Sequence, residues 1–312
     1  MSSPRRSSLL KFHRPQIHLD DAPIPTPKPN SRQCLQNLLQ YRTPHSHVAY
    51  PKSRCAAVLV ALFVGRMGDL YVLLSRRAPT LRTYAGDTSL PGGKWEPQDR
   101  NMEWTARREA FEEIGLPIDR RKVPLLCIVE PFLAGNALIV FPVVVLVVDH
   151  TIRPILNAPE VASLFSHPLA SLLTSEPPFP LEHEMLELEY HTYVDVSIPW
   201  PYNDSMGSGT ASVRMHRFLT GREAGGTKPI FGLTASILIR VAAIGYGRGP
   251  DFSLCAPGQP SKEERIVHAL RNDSVLREAA RREGIDPDGE PDAGKRAAVI
   301  ERQRRKRMKN KL

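Results

Sequence analysis

The chain has 312 residues, 41% hydrophobic and 24% charged, which is the balance of a globular protein with one sizeable core. Its net charge of +9 is uneven: residues 295–312 hold nine Lys or Arg against one acid and residues 1–19 hold four against none, leaving −3 for 20–294. A basic nucleic-acid-binding face on the folded body is therefore not expected. The longest apolar run, 137–148, contains Pro142 and falls short of the roughly 20 residues a membrane-spanning helix needs, so membrane insertion is excluded. Four cysteines without a C-x-x-C pair indicate neither a zinc site nor a disulfide framework and fit a reducing compartment.

In chain order, residues 1–50 are rich in Pro, Ser and polar residues and read as a disordered or targeting arm, with a short helix around 34–41. At 56 the character changes: an apolar run over 56–64, a turn at 66–69 and a second run over 70–75 predict a hairpin. A helix is expected over 102–114. Two further strands, 123–133 and 138–148, flank Ala134-Gly135-Asn136, whose Gly and Asn suit a hairpin turn. Helices are expected at 160–164, 169–173 and 232–245, and weaker strands at 190–196 and 213–220 around a Pro-, Ser- and Gly-rich loop. Strands interrupted by helices predict an α/β layered domain over about 51–252. The remainder, 253–312, reads as a charged, largely disordered basic tail in which 263–283 could form a helix.

Chemistry concentrates between Leu73 and Leu116. In the 102–114 helix, Asp99 or Asn101 can cap the start, and Gly115 can close the end in a left-handed conformation. Glu109, Glu112 and Glu113 then share one face, with neighbouring Cβ atoms about 5–6 Å apart. Three carboxylates so close repel unless a hard divalent cation, Mg²⁺ or Mn²⁺, sits among their oxygens. Arg108 stands four residues before Glu112 and can pair with it. The other face, Trp104, Ala106, Ala110 and Ile114 with Phe111 at its border, is expected to pack on the sheet. Just upstream, Gly92-Gly93-Lys94 adds no side-chain bulk at its glycines, so backbone there can approach a ligand closely.

Arg108-Glu109-Ala110-Phe111-Glu112-Glu113-Ile114-Gly115-Leu116 resembles the second half of the Nudix hydrolase signature, G-x5-E-x7-R-E-U-x-E-E-x-G-U, at every fixed position. The first half departs from it. The signature's spacing falls on Lys94 and Arg100, whereas a connection one residue longer places Gly93 as the glycine and Asp99 as the acid. Upstream, Leu73-Leu74-Ser75-Arg76-Arg77-Ala78, Arg82, Gly86 and Leu90-Pro91-Gly92-Gly93 are similar to an element of the coenzyme A diphosphatase subfamily. Pro159-Glu160-Val161, Pro168-Leu169 and Phe231-Gly232-Leu233-Thr234-Ala235 resemble its later segments.

The resemblance implies a Nudix-type α/β/α sandwich with a mixed β-sheet, flanked by disordered tails. It implies hydrolysis of the diphosphate of coenzyme A or acyl-coenzyme A, giving (acyl-)4′-phosphopantetheine and adenosine 3′,5′-bisphosphate. Metal ligands fall to Glu109, Glu112 and Glu113, and catalytic roles to Glu109, Glu112 and Arg108. Substrate contacts fall to Arg77, Arg82, Gly92, Gly93 and Lys94, because guanidinium forks suit phosphate oxygens. The general base stays open among these carboxylates and Glu160. A relative acting on a nucleoside diphosphate derivative or nucleotide, or a non-catalytic Nudix-like binding module using its basic tail on RNA, are the alternatives. Asn310-Lys311-Leu312 differs by one residue from the peroxisomal S-K-L terminus, and Lys11 and His18-Leu19 follow an N-terminal peroxisomal spacing. A peroxisomal import receptor is the corresponding partner. The acid-free start also resembles a mitochondrial presequence, with the cytosol the remaining alternative. His183, His191 and His216 are expected to be ordinary polar residues, Cys127 a buried strand residue, and Trp95 a packing residue or a substrate stack.

Overall fold

A computed structural model of the chain describes residues 17, 19, 22–44, 46, 48–178, 188–201 and 208–288. The Asn310-Lys311-Leu312 terminus, Lys11 and His18 of the N-terminal motif, the basic run at 295–312 and His183 lie outside the described residues.

The architecture is α/β, a mixed sheet between helices. Strands β1 (Cys55–Val64) and β2 (Leu70–Arg77) form the expected hairpin. Its turn is closed by the Gly65 amide donating to the Asp69 carbonyl at 2.8 Å. After the short strands β3 (Thr88–Ser89) and β4 (Gly92–Lys94) comes helix α2 (Met102–Ile114), preceded in the chain by α1 (Pro29–Gln40). The run expected as one strand over 123–133 divides into β5 (Leu125–Ile128) and β6 (Phe132–Ala134), both antiparallel to β7 (Leu138–Leu146). Strand β8 (Val161–Pro168) pairs antiparallel with β2. Strands β9 (His191–Pro201), β10 (Ser208–Phe218) and β11 (Ile230–Phe231) make a second, three-stranded sheet that leads into α3 (Gly232–Tyr246). Helices α4 (Lys262–Asn272) and α5 (Ser274–Arg282) complete the described chain.

The centre is the parallel pair β1–β7, in register from Cys55↔Ile139 to Leu62↔Leu146. Successive side chains of a strand point to opposite faces. Val60, Leu62, Val140 and Val144 meet Leu35 and Leu38 of α1 and Leu238 and Val241 of α3 on one side. Ala57, Leu59, Phe141 and Val143 meet Ala106, Ala110 and Ile114 of α2 on the other. Burial on both faces explains why these strands read as unbroken apolar runs.

Several expectations are corrected. Residues 161–164 are strand rather than helix: the open edge of β2 pairs with β8 from Tyr71↔Pro168 to Arg77↔Val161, and that partner outweighs local helix preference. Residues 169–173 make a single 3₁₀ turn. On α2, Ala106, Ala110 and Ile114 are buried, but Phe111 is 53% exposed. The arm is not unstructured throughout, since Cys34, Leu35 and Leu38 of α1 are fully buried in the core. Nor is 253–288 a tail: Ile266, Leu270 and Leu276 belong to the same cluster as α2. A capping box at Ser261 and Glu264 starts α4, and Asp273 caps α5. Glu130 secures these outer pieces, accepting from Tyr41 at 2.6 Å, Arg240 at 2.7 Å and Lys262 at 2.6 Å. Burial works to raise its carboxyl, but these partners bring it down to about 2.

Candidate active site

The site lies where β4 passes under α2. Asn101 caps α2 by accepting from the Trp104 amide at 2.9 Å, and Gly115 ends it with φ of 67°. Strand β4 is fixed on β1 by the register Gly93↔Ala57 and Gly92↔Val58. A Cβ on Gly92 would stand 2.3 Å from the Ala57 carbonyl oxygen, and one on Gly93 2.3 Å from Cδ and Oε1 of Glu109. Gly92 accepts no side chain, because backbone stands in the way, and a side chain on Gly93 would displace the Glu109 carboxylate. The Gly92 amide donates to Glu113 Oε2 at 3.2 Å. The double glycine thus lays bare backbone against two carboxylates of the helix.

Arg108 organises the acids. Its Nε and Nη2 donate to Oδ1 and Oδ2 of Asp99 at 3.0 and 2.9 Å, the bidentate geometry a guanidinium favours. Nη1 reaches Glu109 Oε1 at 2.9 Å and Glu112 Oε2 at 3.1 Å, and Nη2 also donates to the Lys94 carbonyl at 3.0 Å. Asp99 is thereby the acid held within the constellation, also accepting from the Glu96 amide at 3.0 Å, while Glu96 stands 48% exposed and 3.8 Å from Arg108. Burial works to raise the Asp99 carboxyl, but the hydrogen bonds from Arg108 and Glu96 outweigh it and hold it below its ordinary value.

Glu109 and Glu113 face the glycines under less compensation. Burial raises Glu109 despite Arg108. Burial, with Glu109 and Glu160 adding repulsion, pushes Glu113 up to about 7 against the opposing pull of the Gly92 amide and Arg77. Two such carboxylates call for positive charge. The donors are hard oxygens, which suit Mg²⁺ or Mn²⁺ rather than a softer ion. Among the described residues no three or more His, Cys, Asp or Glu converge as a ready-made cage. Mg²⁺ characteristically takes one or two carboxylates together with substrate phosphate oxygens, so the pair fits.

Of the residues expected from sequence, Arg108, Glu109, Glu113, Gly92 and Gly93 come together. Glu112 joins only through Arg108 and is 53% exposed. Lys94 contributes its carbonyl, its side chain being exposed. Arg77 ends β2 where its pairing with β8 is irregular, near enough to act on Glu113, and its Nε is buried without a hydrogen-bond partner. Arg82 is exposed in the 78–87 loop, which is tied to β8 by the Ala78 amide donating to the Glu160 carbonyl at 2.8 Å. Trp95 packs on the core with its Nε1 on the Asp99 carbonyl at 3.1 Å. His191 and His216 pair with each other at 3.0 Å on β9 and β10 of the second sheet. Sequence reasoning missed the seating of Glu109 on Gly93, for which the chain offers no local signal. It also missed the buried ion pair of Arg107 with Glu103, which their four-residue spacing could have suggested.

A family model described as NUDIX domain matches residues 53–199. Nudix hydrolase 22, chloroplastic, of Arabidopsis thaliana is 32% identical over 255 residues, covering 79% of this chain and 76% of that relative. The chain belongs to the Nudix hydrolases. Nudix hydrolase 15, mitochondrial, of the same plant is 38% identical over 202 residues, 64% of this chain, which thus spans 62% of that relative's length. Peroxisomal coenzyme A diphosphatase 1, peroxisomal, of Saccharomyces cerevisiae is 46% identical over 94 residues, 29% of this chain and 28% of that protein.

Proposed function

We propose that the chain is a divalent-cation-dependent diphosphatase acting on coenzyme A or acyl-coenzyme A, yielding (acyl-)4′-phosphopantetheine and adenosine 3′,5′-bisphosphate. The observation that carries the reading is the seating of Glu109 and Glu113 against the bare backbone of Gly92-Gly93. There a diphosphate can come close to both carboxylates. Glu109 and Glu113 would hold Mg²⁺ or Mn²⁺, with Glu112 as a third ligand. Such an ion offsets charge on the diphosphate oxygens and makes a nearby water more acidic. Arg108, clamped by Asp99, keeps Glu109 and Glu112 in place. A carboxylate of this group, or Glu160 beside it, accepts the proton of the attacking water as the bond from phosphorus to the bridging oxygen breaks.

Arg77, with an unmet donor beside Glu113, and Arg82 on the adjoining loop suit the substrate's phosphates, including the 3′-phosphate of coenzyme A. The yeast relative's name supports the substrate class, and the organelles named for the three relatives support an organellar location, with peroxisomal import the first case to test. Fluorescent fusions at each terminus, imaged separately, would show which end directs it.

The deciding experiment incubates coenzyme A, acetyl-coenzyme A, ADP-ribose, NADH and deoxynucleoside triphosphates with the enzyme, with and without Mg²⁺, and identifies products. Turnover confined to the last three would remove coenzyme A as the substrate. Glu109→Gln and Glu113→Gln should each lower turnover of the best substrate at least about 100-fold; unchanged rates would refute the site itself.

A further inference from the structure

A second feature of α2 faces away from the glycine turn. Arg107 is 2% exposed, and its Nε donates to Glu103 Oε1 at 2.9 Å, Glu103 being fully buried. The same carboxylate accepts Nε and Nη2 of Arg120 at 3.0 and 2.9 Å. One negative charge thus serves two guanidinium groups, and both terminal nitrogens of Arg107 remain buried without a partner. Leaving charged donors dry and unmet is costly, and an anion is the group that would meet them.

Arg107 also lines a cavity of about 220 Å³, together with Arg100, Asn101, Trp104, Ile118 and Arg120, and a small turn of its side chain would bring the two buried nitrogens to it. It lies at the first turn of α2, where the Met102 and Glu103 amides have no partner within the helix and the helix dipole favours negative charge. Asp119 also acts on Arg107, and its Oδ1 is taken by the Arg121 amide at 2.8 Å. The volume is several times the roughly 30 Å³ of one water, yet below the roughly 300 Å³ at which pockets enclose a whole ligand. A charged group can enter while the body of its molecule stays outside, over the half-exposed Trp104. Three arginines around one cavity offer more donors than a flat carboxylate can use, and suit a doubly charged tetrahedral oxyanion.

We propose that this cavity is a second, non-catalytic site that binds the phosphate group of a phosphorylated small molecule. Its test is calorimetric titration of the full-length protein, free of divalent metal, with inorganic phosphate, with AMP and with acetate. Saturable binding of phosphate, retained in the Glu109→Gln/Glu113→Gln double variant and weakened at least about tenfold by Arg107→Met, is expected. Arg120→Ala, a change at a 43% exposed side chain, should weaken it in the same direction and carries the test should Arg107→Met fail to fold. AMP binding more tightly than phosphate, with the gain lost in Trp104→Leu, would assign the ligand as a nucleotide; equal affinities would assign the free anion. No saturable phosphate binding, binding of acetate as tight as phosphate, or binding that survives the arginine changes but not the glutamate changes would overturn the proposal.

Discussion

Replacing Gly93 by Ala isolates the contact on which the site rests. The new Cβ would lie 2.3 Å from Cδ and Oε1 of Glu109 and 2.5 Å from Oε2, against about 3.5 Å for ordinary contact, so the carboxylate must retreat by roughly 1 Å. Gly93 does not occupy the left-handed region, so the methyl group brings no backbone strain. The group displaced is the end of a flexible side chain, and the fold can absorb the change. The cost therefore falls on chemistry: a misplacement of about 1 Å in a reacting constellation is worth about 100-fold in rate. Steady-state kinetics should show kcat/KM lowered about 100-fold, with a melting temperature within a few degrees of the parent. Gly135→Ala, where the added Cβ meets nothing within 4 Å, is the control. If Gly93→Ala keeps activity within about threefold of the control, well short of the 100-fold expected, Glu109 need not stand where the structure places it and the reasoning fails.

Arg108→Ala should destabilise the protein by about 3 kcal/mol in urea unfolding, because it strips Asp99, whose side chain is fully buried, of its bidentate partner. Arg108→Lys, which keeps the charge but not the fork, should restore only part of that. Glu113 holds its proton more tightly in the folded chain, at about 7 against an ordinary 4.5. Between those values the native state binds the extra proton, so metal-free stability should fall as pH rises from 5 to 8, by up to about 3 kcal/mol. Glu113→Gln should flatten that slope, and an unchanged slope would show that Glu113 does not titrate as placed. Leu276→Ala should cost about 2–4 kcal/mol by the cavity it leaves, measured by the same unfolding assay. A loss of a few tenths would mean that 262–282 does not pack on the α2 side of the core.

Much of the site was legible in the chain because its logic is local. The helix at 102–114 was readable from its cap, its left-handed glycine and its apolar spacing. The pairing of Arg108 with Glu112 followed from four residues of separation. What could not be read were the interactions that join distant segments. Residues 161–164 carry no mark that β2 will offer them an edge, and Phe111 sits at a helix border that packing leaves in water. The charged 262–282 stretch hid its few apolar positions, Ile266, Leu270 and Leu276, among Lys, Arg and Glu.

The amino-acid order alone set the acidic helix, the double glycine ahead of it and the apolar strands that hold both, since these depend on spacings within a dozen residues. Tertiary structure decided which acid Arg108 clamps, which carboxylates sit against the glycines, and that Arg107 keeps two buried donors unmet. Those outcomes depend on the register of β4 on β1 and on how closely α2 settles over it, and both are fixed by packing across the whole core.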